Sequence, residues 1–140
     1  MNKIRTIFLL VSFCFYVGTI NAQGNSSKDK TSIFTGVPDS LPCFNGGKPA
    51  WIKFLEKNLN AGIPAEKGAP EGTYIPEVSF IVNEDGAISD IKIIKKVKYG
   101  TTEELIRLMK ISPNWQPAIV NSKPVRYRTT QTITFKVYVE

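Results

Sequence analysis

The chain has 140 residues, 42% apolar and 21% charged, with a formal charge of +6, which is the scale of one globular domain and no more. It contains no histidine, so Ser-His-Asp and Cys-His catalysis and every histidine-ligated metal site are excluded. Its cysteines are Cys14 and Cys43 alone.

Lys3 and Arg5 precede an apolar run from Ile7 to Ile20 that closes on Asn21-Ala22. This reads as an export signal over residues 1–22, cleaved after Ala22. The run falls short of the about 20 residues needed to cross a bilayer as a helix, so a retained anchor is the secondary reading. Phe13 is too bulky for the position ahead of a lipidated Cys14. Signal removal leaves Cys43 alone, unable to form an internal disulfide and expected as a small buried residue rather than a redox centre. Residues 23–40 are polar and rich in Ser, Lys, Asp and Gly, a flexible linker ahead of a domain spanning 41–140.

Within that domain, Pro49 occupies the first turn of a helix whose apolar face is Trp51, Leu55 and Leu59. "AGIPAEKGAPEG" breaks all periodicity. "EVSFIVNEDGAISDIKIIKKV" reads as two strands around an Asp85-Gly86 turn. Val78, Phe80 and Val82 share a face of the first, and Ile91, Ile93 and Val97 a face of the second. Thr101 followed by Glu104 predicts a capping box on a helix with Leu105, Leu108 and Met109 as its stripe, ended by Pro113. From Val125 the chain alternates to Val139, with Tyr127, Ile133, Phe135 and Val137 one way and Arg126, Arg128, Thr130, Thr132, Thr134 and Lys136 the other. That predicts one long last strand. The order helix, strand, strand, helix, strand predicts an α+β fold, a three-stranded antiparallel sheet with two helices packed on one face. Trp51 and Trp115 are expected to pack where the helices meet the sheet.

The candidate acids are Asp85, Asp90, Glu103 and Glu104, of which the turn accounts for Asp85 and the cap for Glu104. No catalytic residue, cofactor or metal is expected. "DIKIIKKVKYG" and "VRYRTT" interleave basic and aromatic residues as single-strand binders do, but lysines on the wet face of a half-buried sheet hold it in solution and deter edge pairing. No nucleic-acid partner is expected.

Taken together, Pro42-Cys43-Phe44-Asn45-Gly46-Gly47, Ala50-Trp51, Phe54-Leu55, Asn58-Leu59, Val78-x-Phe80-x-Val82 leading to Asp85-Gly86, Pro113-x-Trp115-x-Pro117 and Lys123-Pro124-Val125 resemble the TonB C-terminal domain family, from about Leu41 to Phe135. The resemblance implies a periplasmic, non-enzymatic module that adds a short segment of an outer-membrane transporter as an extra strand beside its last strand, supporting TonB-dependent transport. The positions that inherit this role are Thr129, Thr130, Gln131, Thr132, Ile133, Thr134 and Phe135. An exposed strand edge suits it physically, because unpaired backbone groups accept an extended peptide.

There are departures. Ile63-Pro64 stands displaced where the family has Tyr-Pro, Pro76 falls within the expected first strand, Ala118 and Ser122 replace glycines, and Thr132 stands where proline is common. The short apolar run and short linker also differ from a full energy transducer, which keeps an inner-membrane helix and a long proline-rich spacer. Two alternatives follow. One is a stand-alone envelope scaffold or regulator that forms a homodimer or docks on another envelope protein through the same edge. The other is a minimal transducer with the N-terminal segment kept as its anchor; otherwise membrane association comes only through partners.

Overall fold

The computed structural model of the chain describes residues 32–138. The expected signal segment, the first part of the expected linker and Val139 lie outside the described residues. The elements are β1 (Cys43–Phe44), α1 (Gly47–Asn58), α2 (Ile63–Glu66), β2 (Gly72–Tyr74), β3 (Glu77–Val82), β4 (Ile88–Lys95), α3 (Thr101–Ile111), β5 (Trp115–Gln116), β6 (Ala118–Val120), β7 (Lys123–Val125), β8 (Tyr127–Thr132) and β9 (Phe135–Val137).

The architecture is the expected α+β one. An antiparallel sheet of order β4-β3-β8 forms the frame, and Val78, Phe80 and Val82 on its inner face are fully buried. Trp51 and Leu55 of α1 and Leu105, Leu108 and Met109 of α3 join them in one apolar core, so both long helices cover the same face. Two-stranded pairings β1-β5, β2-β9 and β6-β7 were not anticipated; strands of two or three residues are too short to declare a period. The single turn of α2 was missed for the same reason.

The tryptophans sit in that core. Trp51 and Trp115 approach within 5.9 Å of each other and Phe80 lies 5.0 Å from Trp115, centroid to centroid. Phe44 joins at 5.1 Å from Trp51. Trp115 also docks the β3–β4 hairpin, since its N–H donates to the Gly86 carbonyl at 2.8 Å. Gly86 has φ +83°, and a Cβ there would lie 2.1 Å from the Trp115 carbonyl oxygen. The turn therefore requires glycine both for its backbone and for the approach of the tryptophan. Cys43 is only half-buried, and its thiol donates to the Gln116 side-chain oxygen at 3.1 Å, which corrects the expectation of full burial.

Three further local expectations are corrected. The capping box does not form: Gly100, at φ 74°, caps α3 without a side-chain bond. Glu104 instead accepts from Arg107 and, at 2.8 Å, from the Asn60 N–H, and this pairing pushes the Arg107 guanidinium further toward its charged form. The Thr101 hydroxyl turns back to the Lys98 carbonyl at 2.9 Å.

On β4, Ile93 lies opposite Val78 and so on its face of the sheet, but it is not buried as expected. The strand shifts register against β3 twice, and each extra residue in a bulge reverses the alternation. Ile94, the extra residue at one shift, is 58% exposed, and Ile93 beside it is 47% exposed on the edge strand.

The last strand, expected to run unbroken from Val125, comes as β7, β8 and β9. The interruption between β8 and β9 has a physical cause. β3 pairs with β8 from Val82↔Tyr127 to Glu77↔Thr132, and β2 pairs with β9 from Tyr74↔Phe135 to Gly72↔Val137. Stepping one residue at a time from Glu77↔Thr132 arrives at Tyr74↔Phe135, so both pairings belong to one antiparallel ribbon in a single register. Pro76 falls opposite Ile133 in that register. Proline has no N–H to give to the ladder, and the pairing lapses there before resuming.

Candidate functional site

The seven positions singled out by sequence lie on this ribbon. Thr129 faces Phe80, Thr130 faces Ser79, Gln131 faces Val78 and Thr132 faces Glu77. Ile133 and Thr134 span the interruption, and Phe135 faces Tyr74. Gln131, Ile133 and Phe135 are buried, whereas Thr130 is exposed and Thr129, Thr132 and Thr134 are partly so. The five that are paired have their β2 and β3 partners on the same side. On the opposite flank, the pairing found among the described residues is a parallel bridge from Phe34 to Tyr127.

That bridge fixes the direction of the backbone groups. The Phe34 N–H donates to the Arg126 carbonyl at 2.8 Å, so Arg126 directs its main-chain groups away from β3. Successive residues of a strand direct theirs to alternate sides. Arg128, Thr130, Thr132 and Thr134 therefore present N–H and C=O to the outer flank, while Thr129, Gln131 and Ile133 direct theirs to the β2–β3 side.

The sheet's outer face is tied across all three strands. Arg128 on β8 reaches over β3, donating to the Ser79 hydroxyl at 3.2 Å, and ends on the Asp90 carboxylate of β4. Lys92 pairs with the same carboxylate at 3.2 Å. The hydrogen bond from Arg128, then that from Lys92, holds the Asp90 carboxyl below its ordinary range. Asp90 sits at φ 49°, beside a β4 bulge, which re-aims its side chain toward the arginine. Asp90 is thus a structural ion-pair partner. Sequence pattern offered no sign of this, because the contact joins residues brought side by side only by the sheet.

Residues 65–137, a little over half of the chain, match the family described as Gram-negative bacterial TonB protein C-terminal. The chain belongs to this family. The match takes in β2, β3, β4, α3 and the whole of β8 and β9; α1 and the Pro42–Gly47 stretch precede it. No curated protein and no solved structure matches the chain significantly. TonB C-terminal domains are periplasmic, non-enzymatic protein-interaction domains whose partners are outer-membrane proteins. No helix among the described residues is long and apolar enough to cross a membrane.

Proposed function

We propose that this TonB C-terminal domain captures an extended segment of an outer-membrane transporter by strand addition along the outer flank of β8 and β9, in support of TonB-dependent transport. The observation that carries the reading is the unbroken register of the ribbon, which aims the main-chain groups of Arg128, Thr130, Thr132 and Thr134 at one flank. A guest strand bonds to those groups, and its own side chains then alternate between the two faces of the sheet. The nearby side chains favour this use, since Thr129, Thr130, Gln131 and Thr132 carry no charge that a guest would have to desolvate. The export signal, cleaved after Ala22, would deliver the domain to the periplasm where such segments are exposed.

Affinity capture from envelope extract, with the full chain and its Thr130→Pro variant as baits, tests the proposal. Proline at this outward-directed position removes a donor from the flank and none from the β3 ladder. A transporter retained by the parent chain and depleted about tenfold by the variant, the scale of one lost main-chain bond, is the expected outcome. Equal recovery by two equally folded baits contradicts strand addition at this flank.

A further inference from the structure

Residues 32–40, placed in the expected linker, make specific contacts with the domain. Phe34 bridges Tyr127 on the flank of β8 that faces away from β3. Farther along, the Asp39 N–H donates to the Ile119 carbonyl at 2.8 Å, and Ser40 pairs antiparallel with Ile119. The Asp39 carboxylate accepts the Asn121 N–H at 2.6 Å. The segment is therefore fastened at one end to the start of β8 and at the other to the β6–β7 hairpin.

The fastening is specific yet shallow. It includes main-chain bonds and one carboxylate; none of residues 32–40 is fully buried, and Val37 between the two anchor points is 93% exposed. The Phe34 ring folds back over Gly36, where a Cβ would lie 2.7 Å from the ring edge. Segments held by few buried contacts open at low free energy without global unfolding. Phe34 also stands in line with the positions a guest strand would occupy, because the bridge uses the same outer flank as Thr130 and Thr132.

We propose that residues 33–40 form an autoinhibitory strap, with Phe34 holding the first rung of the guest-binding flank. A short guest lying along Thr129–Thr132 leaves the strap in place, whereas a guest that runs on to Tyr127 must displace it. Strap docking and long-guest capture are then competitive, and each weakens the other by the same factor. This inference rests on the strand-addition reading above.

The test uses the full chain and two fluorescein-labelled peptides of alternating threonine and valine, four and twelve residues long, as strand probes. Fluorescence anisotropy gives their affinities, and amide hydrogen exchange reads the Phe34 N–H. Phe34→Pro removes the bridging donor, and Asp39→Ala frees the hairpin end of the strap, while Asp39→Asn keeps an acceptor there. Both Phe34→Pro and Asp39→Ala are expected to tighten the twelve-residue probe roughly fivefold, the scale of one hydrogen bond, to leave the four-residue probe unchanged, and to do so more than Asp39→Asn. In the parent chain the Phe34 N–H is expected to be protected until the twelve-residue probe saturates it. Unchanged long-probe affinity in both variants overturns the strap's competition, and an unprotected Phe34 N–H in the free chain overturns the strap itself. Failure of every variant to bind either probe overturns the strand-addition reading and the competition built on it, an outcome distinguishable because Phe34 protection still reports whether the strap is docked.

Discussion

β4 and β8 flank the same central strand, yet β8 holds six consecutive pairs with β3 in one register while β4 shifts register twice. β4 also carries exposed Lys92 and Lys95, with Lys96 and Lys98 just beyond its end. Bulges and lysines are the devices by which sheets discourage pairing at an edge. β8 has neither along Thr129–Thr132, and its arginine is drawn across the sheet to Asp90. The difference teaches that an unpaired edge is not by itself a binding edge. On the proposed function, regular register and the absence of charge would make β8 the receptive edge, and the bulged, basic β4 the refractory one.

The largest test of this contrast is a pair of prolines one residue apart. Gln131→Pro removes a donor directed at β3 and crowds a buried position, so it should cost about 3 kcal/mol in urea unfolding. Thr130→Pro should leave the urea midpoint nearly unchanged, because proline is tolerated where the N–H points out from an edge strand. Similar losses for both would mean that the alternation along β8 has been assigned wrongly.

Next in size is unblocking the other edge. Replacing Lys95 and Lys96 by threonine removes charge from β4 and its end without touching the Asp90 pair. Sedimentation velocity should then show stronger concentration-dependent self-association than in the parent chain, with probe capture at β8 unaffected. Loss of capture instead would show that guests use β4.

The turns that deliver the two strands also differ. Asp85-Gly86 places glycine at its positive-φ position, whereas Asn121 and Ser122, leading into β7 and then β8, sit at φ 49° and 62°. Both central residues of a two-residue hairpin turn at positive φ demand glycine or asparagine. Ser122→Gly should therefore relieve about 1 kcal/mol, raising the melting temperature by about 4–8 °C with no change in capture.

The smallest expected effect is a pH dependence. The Asp90 carboxyl lies below its ordinary value because of Arg128 and Lys92. The stability it contributes is thus present above the unfolded pKa of about 3.9 and is lost as pH falls through the lower folded one. Since the site is exposed and screened, the change is slight. It should be visible as a shift of the Asp90 carboxyl resonance in NMR titration, and Asp90→Asn should abolish the dependence.

Much of this molecule was legible in its residues. Val78, Phe80 and Val82 alternate cleanly, Asp85-Gly86 marks the turn, and the stripes of α1 and α3 identify their buried faces, because each signal is local and periodic. The corrections arose where a local rule met a distant partner. Glu104 suits a capping box but is drawn to Arg107 and Asn60, and Ile93 fits an apolar stripe opposite Val78 but lies 47% exposed on an edge strand. Pro76 was recognised as disruptive, but the place where the ladder lapses, at Ile133, required the register. The expected site positions were readable through family resemblance and alternation. Phe34 was not, because a polar segment with one aromatic residue gives no periodic sign that it will bridge a strand.

Amide hydrogen exchange along the C-terminal ribbon, measured residue by residue on the free chain, tests the central claim most directly. An open outer flank predicts a two-residue alternation, with the paired Thr129, Gln131 and Phe135 slow and Thr130, Thr132 and Thr134 fast, the latter three becoming slow when a guest strand binds. Uniform protection of all six in the free chain would mean that the flank is already occupied, and would contradict the account.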